Sequence, residues 1–522
     1  MMFGPLKGVC MPCNKYQDTR GLMKQSIPFT EAVIQGLASG GGLFVPDSVP
    51  FLNLDDILAL AKIPYAERAA FIYRSFGVDF SDEDLQLLMN EAYGDNFDSK
   101  DICPITTINE STHILELWHG PTSAFKDMAL QCLPLFFSAS AQCLRDKGKI
   151  DHKFLILVAT SGDTGKAALE GFKNRQGVSI AVMYPHGGVS DIQYKQMATQ
   201  QGDNVQVWAV QGNFDDCQTA AKTVFGDQTF KEELLKEANI ALSSANSINW
   251  GRLLPQVVYY VSSYAKLVEE GKLEAGEELD VCVPTGNFGN ILAAYYAKRM
   301  GVPLGRLLCA SNENRVLTDF INTGSYDISH RKFMRTSSPS MDILVSSNLE
   351  RQLFELTGRN GNQISEWMND LKTKQAFKVD EETFRKMRAL YKADSVSDAE
   401  CFEAIRQLYE ETGYLLDPHT AVAYEAAQRL REDKPVLVVG TAHWAKFGES
   451  VYKALHKITP QDNLPCEIAE LTGSELNELI AKETKSSVPE NLATLDSKKI
   501  RFTEVIDRDT SVVEENILKF TK

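Results

Sequence analysis

The chain has 522 residues, 43% of them hydrophobic and 24% charged, which is ordinary for a globular protein and long enough for two or three domains with sizeable cores. A formal net charge of −16 argues against nucleic acid and anionic membrane as partners, and no apolar run reaches membrane-spanning length. Its 10 cysteines sit largely in apolar segments (Cys132, Cys282, Cys309), and the single CxxC, Cys10 to Cys13, lacks a second ligand pair, so a reduced, cytoplasmic protein is expected.

Residues 1–14 carry no periodic pattern and no apolar signal core, and read as a disordered extension. An amphipathic helix over 31–37 closes at Ser39-Gly40-Gly41-Gly42, and helices follow over 54–63, 65–76 and 82–92. These make an N-terminal helical region, 1–105, expected to pack on the domain after it. Short strands at 105–108 and 113–117 begin an alternation of strand and helix. Near-continuous apolar strands at 153–159, 179–184 and 205–210 fit a parallel sheet covered on both faces, with helices at 165–174, 190–200 and 214–225. This is the first α/β domain, 106–245.

A second α/β domain, 246–458, holds a long helix at 249–270, a strand at 279–283, a helix at 290–300, a strand beginning at 306 and a last core strand at 435–440. The charged stretch 346–411 reads as a helical insertion, and 459–522 as a C-terminal extension poor in apolar residues. The expected fold is thus α/β, with two doubly wound open-sheet domains, an N-terminal helical region and a helical insertion.

Ligands in open α/β sheets bind at the C-terminal ends of strands, and three turns there stand out. Thr160-Ser161-Gly162-Asp163-Thr164-Gly165 offers hydroxyls, glycines and a helix N-terminus, suited to a carboxylate or phosphate, though Ser, Thr and Asp also cap ordinary turns. Thr285-Gly286-Asn287-Phe288-Gly289-Asn290 lacks the lysine of a Walker loop and the spacing of a dinucleotide fingerprint, leaving a monophosphate cup. Gly440-Thr441-Ala442-His443 offers Thr441 as a hydrogen-bonding group deep in a cleft, with His443 more simply a satisfied buried histidine. The histidines 113, 119, 419 and 443 show no metal-ligand spacing, so no metal is expected.

Lys126 follows Pro121-Thr122-Ser123, read as a helix entry capped by hydroxyls, and opens an apolar helix expected to run to Asp146. The positive helix end and the neighbours Phe125 and Met128 would lower its pKa, as a Schiff-base lysine requires, since only a neutral amine attacks an aldehyde. The alternative is a surface lysine that snorkels to water. A Schiff-base lysine, a monophosphate cup and a carboxylate turn together suit pyridoxal 5'-phosphate acting on an amino acid.

Trp118-His-Gly-Pro-Thr-Ser-Ala-Phe-Lys126-Asp-Met-Ala, Thr160-Ser-Gly-Asp-Thr-Gly165, Asn246-Ser-Ile-Asn249, Pro284-Thr-Gly-Asn-Phe-Gly-Asn290 and Thr441-Ala-His443 jointly resemble threonine synthase. The likeness runs from about Tyr16 to His456. It resembles the fungal and enterobacterial type, of the tryptophan-synthase-β fold type of pyridoxal-phosphate enzymes. The resemblance implies a cofactor held in the cleft between the two domains. It also implies a lyase converting O-phospho-L-homoserine and water to L-threonine and phosphate by γ-elimination and β-addition of water. It assigns Lys126 as the Schiff-base lysine, Gly286, Asn287, Phe288, Gly289 and Asn290 to the cofactor phosphate, and Thr441 to the pyridine nitrogen. Thr160, Ser161, Gly162, Asp163 and Thr164 would receive the substrate carboxylate. Ser123, Lys166, Asn249 and Arg252 are candidates near the substrate phosphate. Trp444 departs from the family pattern, where a proline is expected. The nearest rival is a threonine-synthase-like phospho-lyase that releases 2-ketobutyrate and ammonia, and a non-catalytic ligand-binding protein is the rival of a different class. The oligomeric state stays open.

Overall fold

A computed structural model describes residues 13–160 and 162–522. Most of the expected N-terminal extension, Cys10 of the CxxC and Ser161 lie outside the described residues.

Two sheets carry the molecule. The larger has six strands in the order Tyr391–Ser395, Leu304–Ser311, Leu279–Pro284, Val436–Gly440, Thr112–Glu116 and Ile105–Asn109. All neighbours are parallel except the last pair, a hairpin whose outer strand runs antiparallel. The smaller is an all-parallel sheet of five, ordered Val505–Ile506, Val205–Val210, Val178–Pro185, Lys153–Ala159 and Ile240–Ser243. Its central strands are the apolar runs Phe-Leu-Ile-Leu-Val and Ile-Ala-Val-Met-Tyr, buried on both faces because helices cover both.

The strand partners differ from chain order in three places. The hairpin 105–116 pairs with Val436–Gly440 and not with the next strands in the chain, because Val438 and Val439 meet Ile114 and Leu115 in a buried register. The stretch 346–411 is not wholly a helical insertion: Tyr391–Ser395 forms an edge strand of the larger sheet, with Tyr391 and Ala393 buried beside Leu307 and Cys309. The C-terminal segment returns to the smaller sheet, where Val505–Ile506 pairs with Ala209 and Val210 and the helix Thr510–Thr521 buries Val513 and Ile517. Few apolar residues suffice there, because the docking surface is the preformed edge of a sheet.

The helix Trp250–Glu269 lies at the centre, buried for nearly its whole length despite Pro255 within it. The N-terminal helices pack against it. Trp250 meets Tyr16, Phe76 and Tyr296 edge-on or tilted, and Phe29, Tyr73, Phe80 and Phe136 form a second aromatic cluster. Aromatic pairs of this kind add about 0.5–1.5 kcal/mol each beyond their buried area.

Candidate functional site

The ends of strands from both sheets converge on Lys126. The stretch between Glu116 and Lys126 is tied to the loop after Val436–Gly440: Leu117 N–H donates to Gly440 O at 3.0 Å, Phe125 N–H to Thr441 O at 2.8 Å, and His443 N–H to Ser123 O at 3.1 Å. Thr441 is therefore fixed beside the lysine segment.

The helix entry differs from the expected hydroxyl cap. Thr122 donates from its N–H and hydroxyl to the Asp127 carboxylate, at 2.8 and 2.7 Å, so the acid holds the turn. Burial pushes Asp127 up to about 6, against these bonds. Lys126 stands at the N-cap of a short helix, Asp127–Leu130, and a separate helix, Leu133–Asp146, comes after it. The break has a cause in Pro134, which has no N–H to offer Leu130 O. Gly171 comes so close to that carbonyl that a Cβ there would lie 1.9 Å from it.

Lys126 is buried. Its Nζ donates to Ser340 Oγ at 3.2 Å, lies 3.7 Å from Asp163 Oδ2 and sits 4.9 Å from the centroid of the Phe125 ring. Burial lowers its pKa to about 8; Asp163 opposes the fall, while Arg252 and Lys446 add to it. The surface-lysine alternative is excluded by this geometry.

The turn after Lys153–Ala159 is occupied by its own groups. Thr160 Oγ1 accepts from Gly162 N–H at 3.0 Å and Gly165 N–H at 2.9 Å. Asp163 pairs with Lys446 Nζ at 2.9 Å and accepts from Gln193 Nε2 at 3.0 Å. Burial favours protonation of Asp163, but Lys446 and Lys126 outweigh it and hold the carboxyl below the usual range. Gly162 has φ +135°, and an added Cβ would lie 2.4 Å from Gln193. Lys166, a candidate near the substrate phosphate, binds Glu170 Oε2 at 2.9 Å and Gln200 Oε1 at 2.5 Å.

The turn after Leu279–Pro284 is the reverse case. The backbone N–H groups from Gly286 to Ile291 have no acceptor among the described residues. Phe288 adopts φ +60°, which turns the loop into the helix Gly289–Arg299. Asn290 Oδ1 accepts from Tyr259 and Tyr260 hydroxyls at 2.6 and 2.5 Å, while its buried Nδ2 has no partner among the described residues. Free donors at a helix N-terminus form a cradle for a phosphate. The Ser340 turn leans on it, since a Cβ at Gly286 would lie 2.8 Å from Ser340 O. These residues fit the phosphate of pyridoxal phosphate.

Arg252 is buried close enough to Lys126 to depress it. One donor goes to Ala245 O at 2.9 Å, and no carboxylate pairs with it among the described residues. Burial lowers its pKa to about 10. Asn249 is already engaged: its Oδ1 caps the helix through Gly251 N–H at 2.9 Å and its Nδ2 donates to Val33 O at 2.8 Å. Ser123, at φ +57°, donates to Asn491 Oδ1 at 3.0 Å, and Asn491 Nδ2 donates to Pro121 O at 2.8 Å. His443 is a buried histidine accepting from Ala445 N–H, its pKa lowered by burial to about 3. Trp444 opens the short turn Trp444–Phe447 and is buried among Ile192 and Leu415, so it serves as core.

Ser340, Lys446, Asp417, His419 and Asn491 were not among the expected site residues. Ser340 lies in Ser337-Ser-Pro-Ser340, turn chemistry inside an aperiodic stretch, which was the available signal.

Three family models match the chain: pyridoxal-phosphate dependent enzyme over residues 112–442, threonine synthase N terminus over 15–93, and threonine synthase, C-terminal over 420–517. Human threonine synthase-like 1 is 45% identical over 82% of this chain, which spans only 58% of that relative's length. Threonine synthase of Pseudomonas aeruginosa is 39% identical, over 88% of this chain and 93% of the relative. The crystal structure of pyridoxal-phosphate-bound threonine synthase from Brucella melitensis superposes with a TM-score of 0.84 at 34% identity, covering 98% of this chain and all of that one.

Proposed function

Because the chain belongs to the threonine synthase family of pyridoxal-phosphate-dependent enzymes and takes pyridoxal 5'-phosphate as cofactor, we propose that it converts O-phospho-L-homoserine and water to L-threonine and phosphate. The observation that carries this reading is a demand for two anions. The donors of Gly286–Asn290 suit the cofactor phosphate, with Gly286, Asn287, Phe288, Gly289 and Asn290 as its cradle. Arg252, a buried guanidinium with no carboxylate partner among the described residues, then calls for a second phosphate, that of the substrate.

When bound, the cofactor supplies an aldehyde for amines and a ring that acidifies carbon-bound hydrogens. Lys126 is the residue that joins it. Its lowered pKa leaves about one amine in ten neutral at pH 7, against about one in a few thousand for an ordinary lysine, so Nζ is competent both to attack and to carry protons at the substrate's Cα and Cβ. Thr441 would meet the ring nitrogen as a neutral hydroxyl, which would not enforce a protonated ring. The substrate carboxylate is left the backbone N–H groups of Asp163 and Thr164 at the helix N-terminus, since Thr160 already fills those of Gly162 and Gly165 and the Asp163 side chain is held by Lys446. Lys166, Ser123 and Asn249 support from behind. The nine described cysteines, all free, support placement in a reducing cytoplasm.

The greater identity to threonine synthase-like 1 favours one further reading, a phospho-lyase releasing 2-ketobutyrate, ammonia and phosphate. Incubation with phosphohomoserine, followed by assay of phosphate, threonine and 2-ketobutyrate, decides between them. Threonine as main product supports synthesis, ketobutyrate as main product replaces it with the lyase, and the absence of phosphate release defeats both.

A further inference from the structure

A single carboxylate lies behind two groups of the site that come from distant parts of the chain. Asp417 is 1% exposed and caps the helix Pro418–Leu430. Its Oδ1 accepts from His419 N–H at 2.9 Å and from His419 Nδ1 at 2.8 Å. The imidazole's other nitrogen, Nε2, accepts from Ser340 N–H at 3.1 Å, which assigns the ring proton to Nδ1. Ser340 Oγ in turn accepts from Lys126 Nζ. On the opposite side, Asp417 Oδ2 accepts from Thr420 N–H at 3.3 Å and from the Thr420 hydroxyl, and Thr420 Oγ1 accepts from Thr441 N–H at 3.1 Å. One arm ends on the lysine nitrogen and the other on the residue placed at the ring nitrogen.

We propose that Ser340 orients the Lys126 amine directly, and that Asp417 is a positioning residue that sets Ser340 and Thr441 as one unit through His419 and Thr420. The proposal rests on the cofactor reading of the site and adds to it a support shared by two of its contacts. The hydrogen-bond count explains why a carboxylate stands there. Each oxygen accepts from two donors, so an amide of the same shape satisfies one arm and turns its NH2 against the donors of the other. Ser340 also rests against Gly286, so the turn that aims the lysine leans on the phosphate cradle too. The charged groups facing Lys126 are Asp163 from the helix Asp163–Phe172, Arg252 from the central helix and Lys446 from the turn after Thr441. None of them belongs to the Asp417 network, so a change at Ser340 or Asp417 is read against an unaltered charge background. Asp342 is the further charged group near His419.

The test compares Ser340→Ala, Ser340→Thr, Asp417→Asn and Thr420→Val with the unaltered holoenzyme, and repeats one measurement on the full chain freed of cofactor. A charge-assisted hydrogen bond contributes about 10- to 100-fold. Ser340→Ala therefore lowers kcat with phosphohomoserine by about that factor with KM nearly unchanged, and Ser340→Thr, which keeps the hydroxyl, recovers most of it. Asp417→Asn lowers kcat and shifts the pH midpoint of the bound cofactor's absorbance. The double variant Ser340→Ala with Asp417→Asn falls well short of the product of the two single effects, because both act on the Lys126 contact and only the Thr441 arm adds. In the cofactor-free chain, loss of the Ser340 acceptor destabilises the protonated amine. Acetylation of Lys126 at pH 7, followed by peptide mass spectrometry, then rises by about threefold or more. Equal acetylation and equal kcat for Ser340→Ala overturn the proposal, as do effects of Ser340→Ala and Asp417→Asn that simply multiply. Should Asp417→Asn not fold, Thr420→Val removes one arm alone. It shifts the absorbance while leaving Lys126 acetylation unchanged, and failure of that split also overturns the shared support. If the unaltered protein never acquires cofactor absorbance, the cofactor reading fails by itself, and the acetylation comparison still judges the Ser340 contact.

Discussion

Two turns of this protein look alike in sequence and do opposite things in the fold. Thr160–Gly165 and Thr285–Asn290 each come after a buried parallel strand, carry two glycines and open a helix. In the first, the hydroxyl of Thr160 fills the donors of Gly162 and Gly165, and the Asp163 charge is met by Lys446 and Lys126. In the second, the donors from Gly286 to Ile291 meet no acceptor among the described residues, and a buried amide nitrogen beside them is unpartnered. A glycine-rich turn therefore signals a shape. Whether it is a site depends on which of its donors the rest of the chain leaves open.

The most severe way to break this contrast is to remove the lysine on which both turns converge. Lys126→Ala should reduce turnover by about three orders of magnitude or more, since no other neutral amine stands there to join the cofactor or move protons. Steady-state phosphate release measures it, and a variant with near-normal turnover refutes the assignment. Next in size is the filled turn. Asp163→Ala leaves Lys446, wholly buried, opposite Lys126 with no anion between them. Breaking one side of a buried pair costs about 3–5 kcal/mol, so urea unfolding of the cofactor-free protein should show a loss of that order. Because the folded carboxyl is held below its unfolded value, this contribution is complete above about pH 4 and fades only as the solution turns more acid. The carboxyl's own part of the loss should therefore be the same at pH 6 and pH 8, and a further loss at pH 6 reports Lys126, whose protonated amine has lost its anion.

How much of this was legible in the sequence depends on the range of each interaction. The strand 153–159 and the helix 214–225 could be read because their pattern is local: an apolar run or a 3.6-residue period. Lys126 and the two turns could be read because strand, turn and helix sit side by side in the chain. The allotment of strands to sheets could not. The hairpin 105–116 joins Val436–Gly440 from more than three hundred residues away, and nothing local records that partner. The same holds for the site. The partner of Asp163, Lys446, lies in another sheet's loop, and that of Asn249, Val33, in the N-terminal helix, so neither contact is recorded locally. The partner of Ser123, Asn491, comes from the C-terminal extension, which the chain order sets far from it. These residues share one feature: their side chains are engaged by partners remote in sequence.

The open turn gives the third prediction, intermediate in size. A methyl group at Gly286 would meet Ser340 O at 2.8 Å, and overpacking of this kind costs about 1–3 kcal/mol. The atom it strikes belongs to the turn whose hydroxyl holds Lys126, so the strain falls on cofactor binding. Gly286→Ala should weaken the cofactor Kd by about tenfold. Gly162→Ala, strained by its φ of +135° and its contact with Gln193, should instead lower the unfolding midpoint of the cofactor-free chain. If the two variants exchange these effects, the distinction between an open and a filled turn collapses.

The smallest effect is the one that tests the lysine without altering it. Burial holds the Lys126 pKa near 8, with Asp163 raising it and Arg252 and Lys446 lowering it further. Protonation removes the nucleophile, so the rate at which the cofactor-free chain takes up pyridoxal phosphate should be nearly constant above that pH and fall about tenfold per unit below it. An ordinary lysine would give a rate still rising through pH 10. Stopped-flow absorbance across pH 6–10 reads the midpoint directly. Of the two turns, only the filled one contributes a charge to this midpoint. In the Asp163→Ala variant the midpoint should move to lower pH, because the one anion beside the amine is gone and the desolvated ammonium faces Lys446 and Arg252 alone. In Gly286→Ala it should stay near 8 while the rate itself drops. A midpoint that moves in both variants, or in neither, would mean that the two turns act on the lysine as one environment.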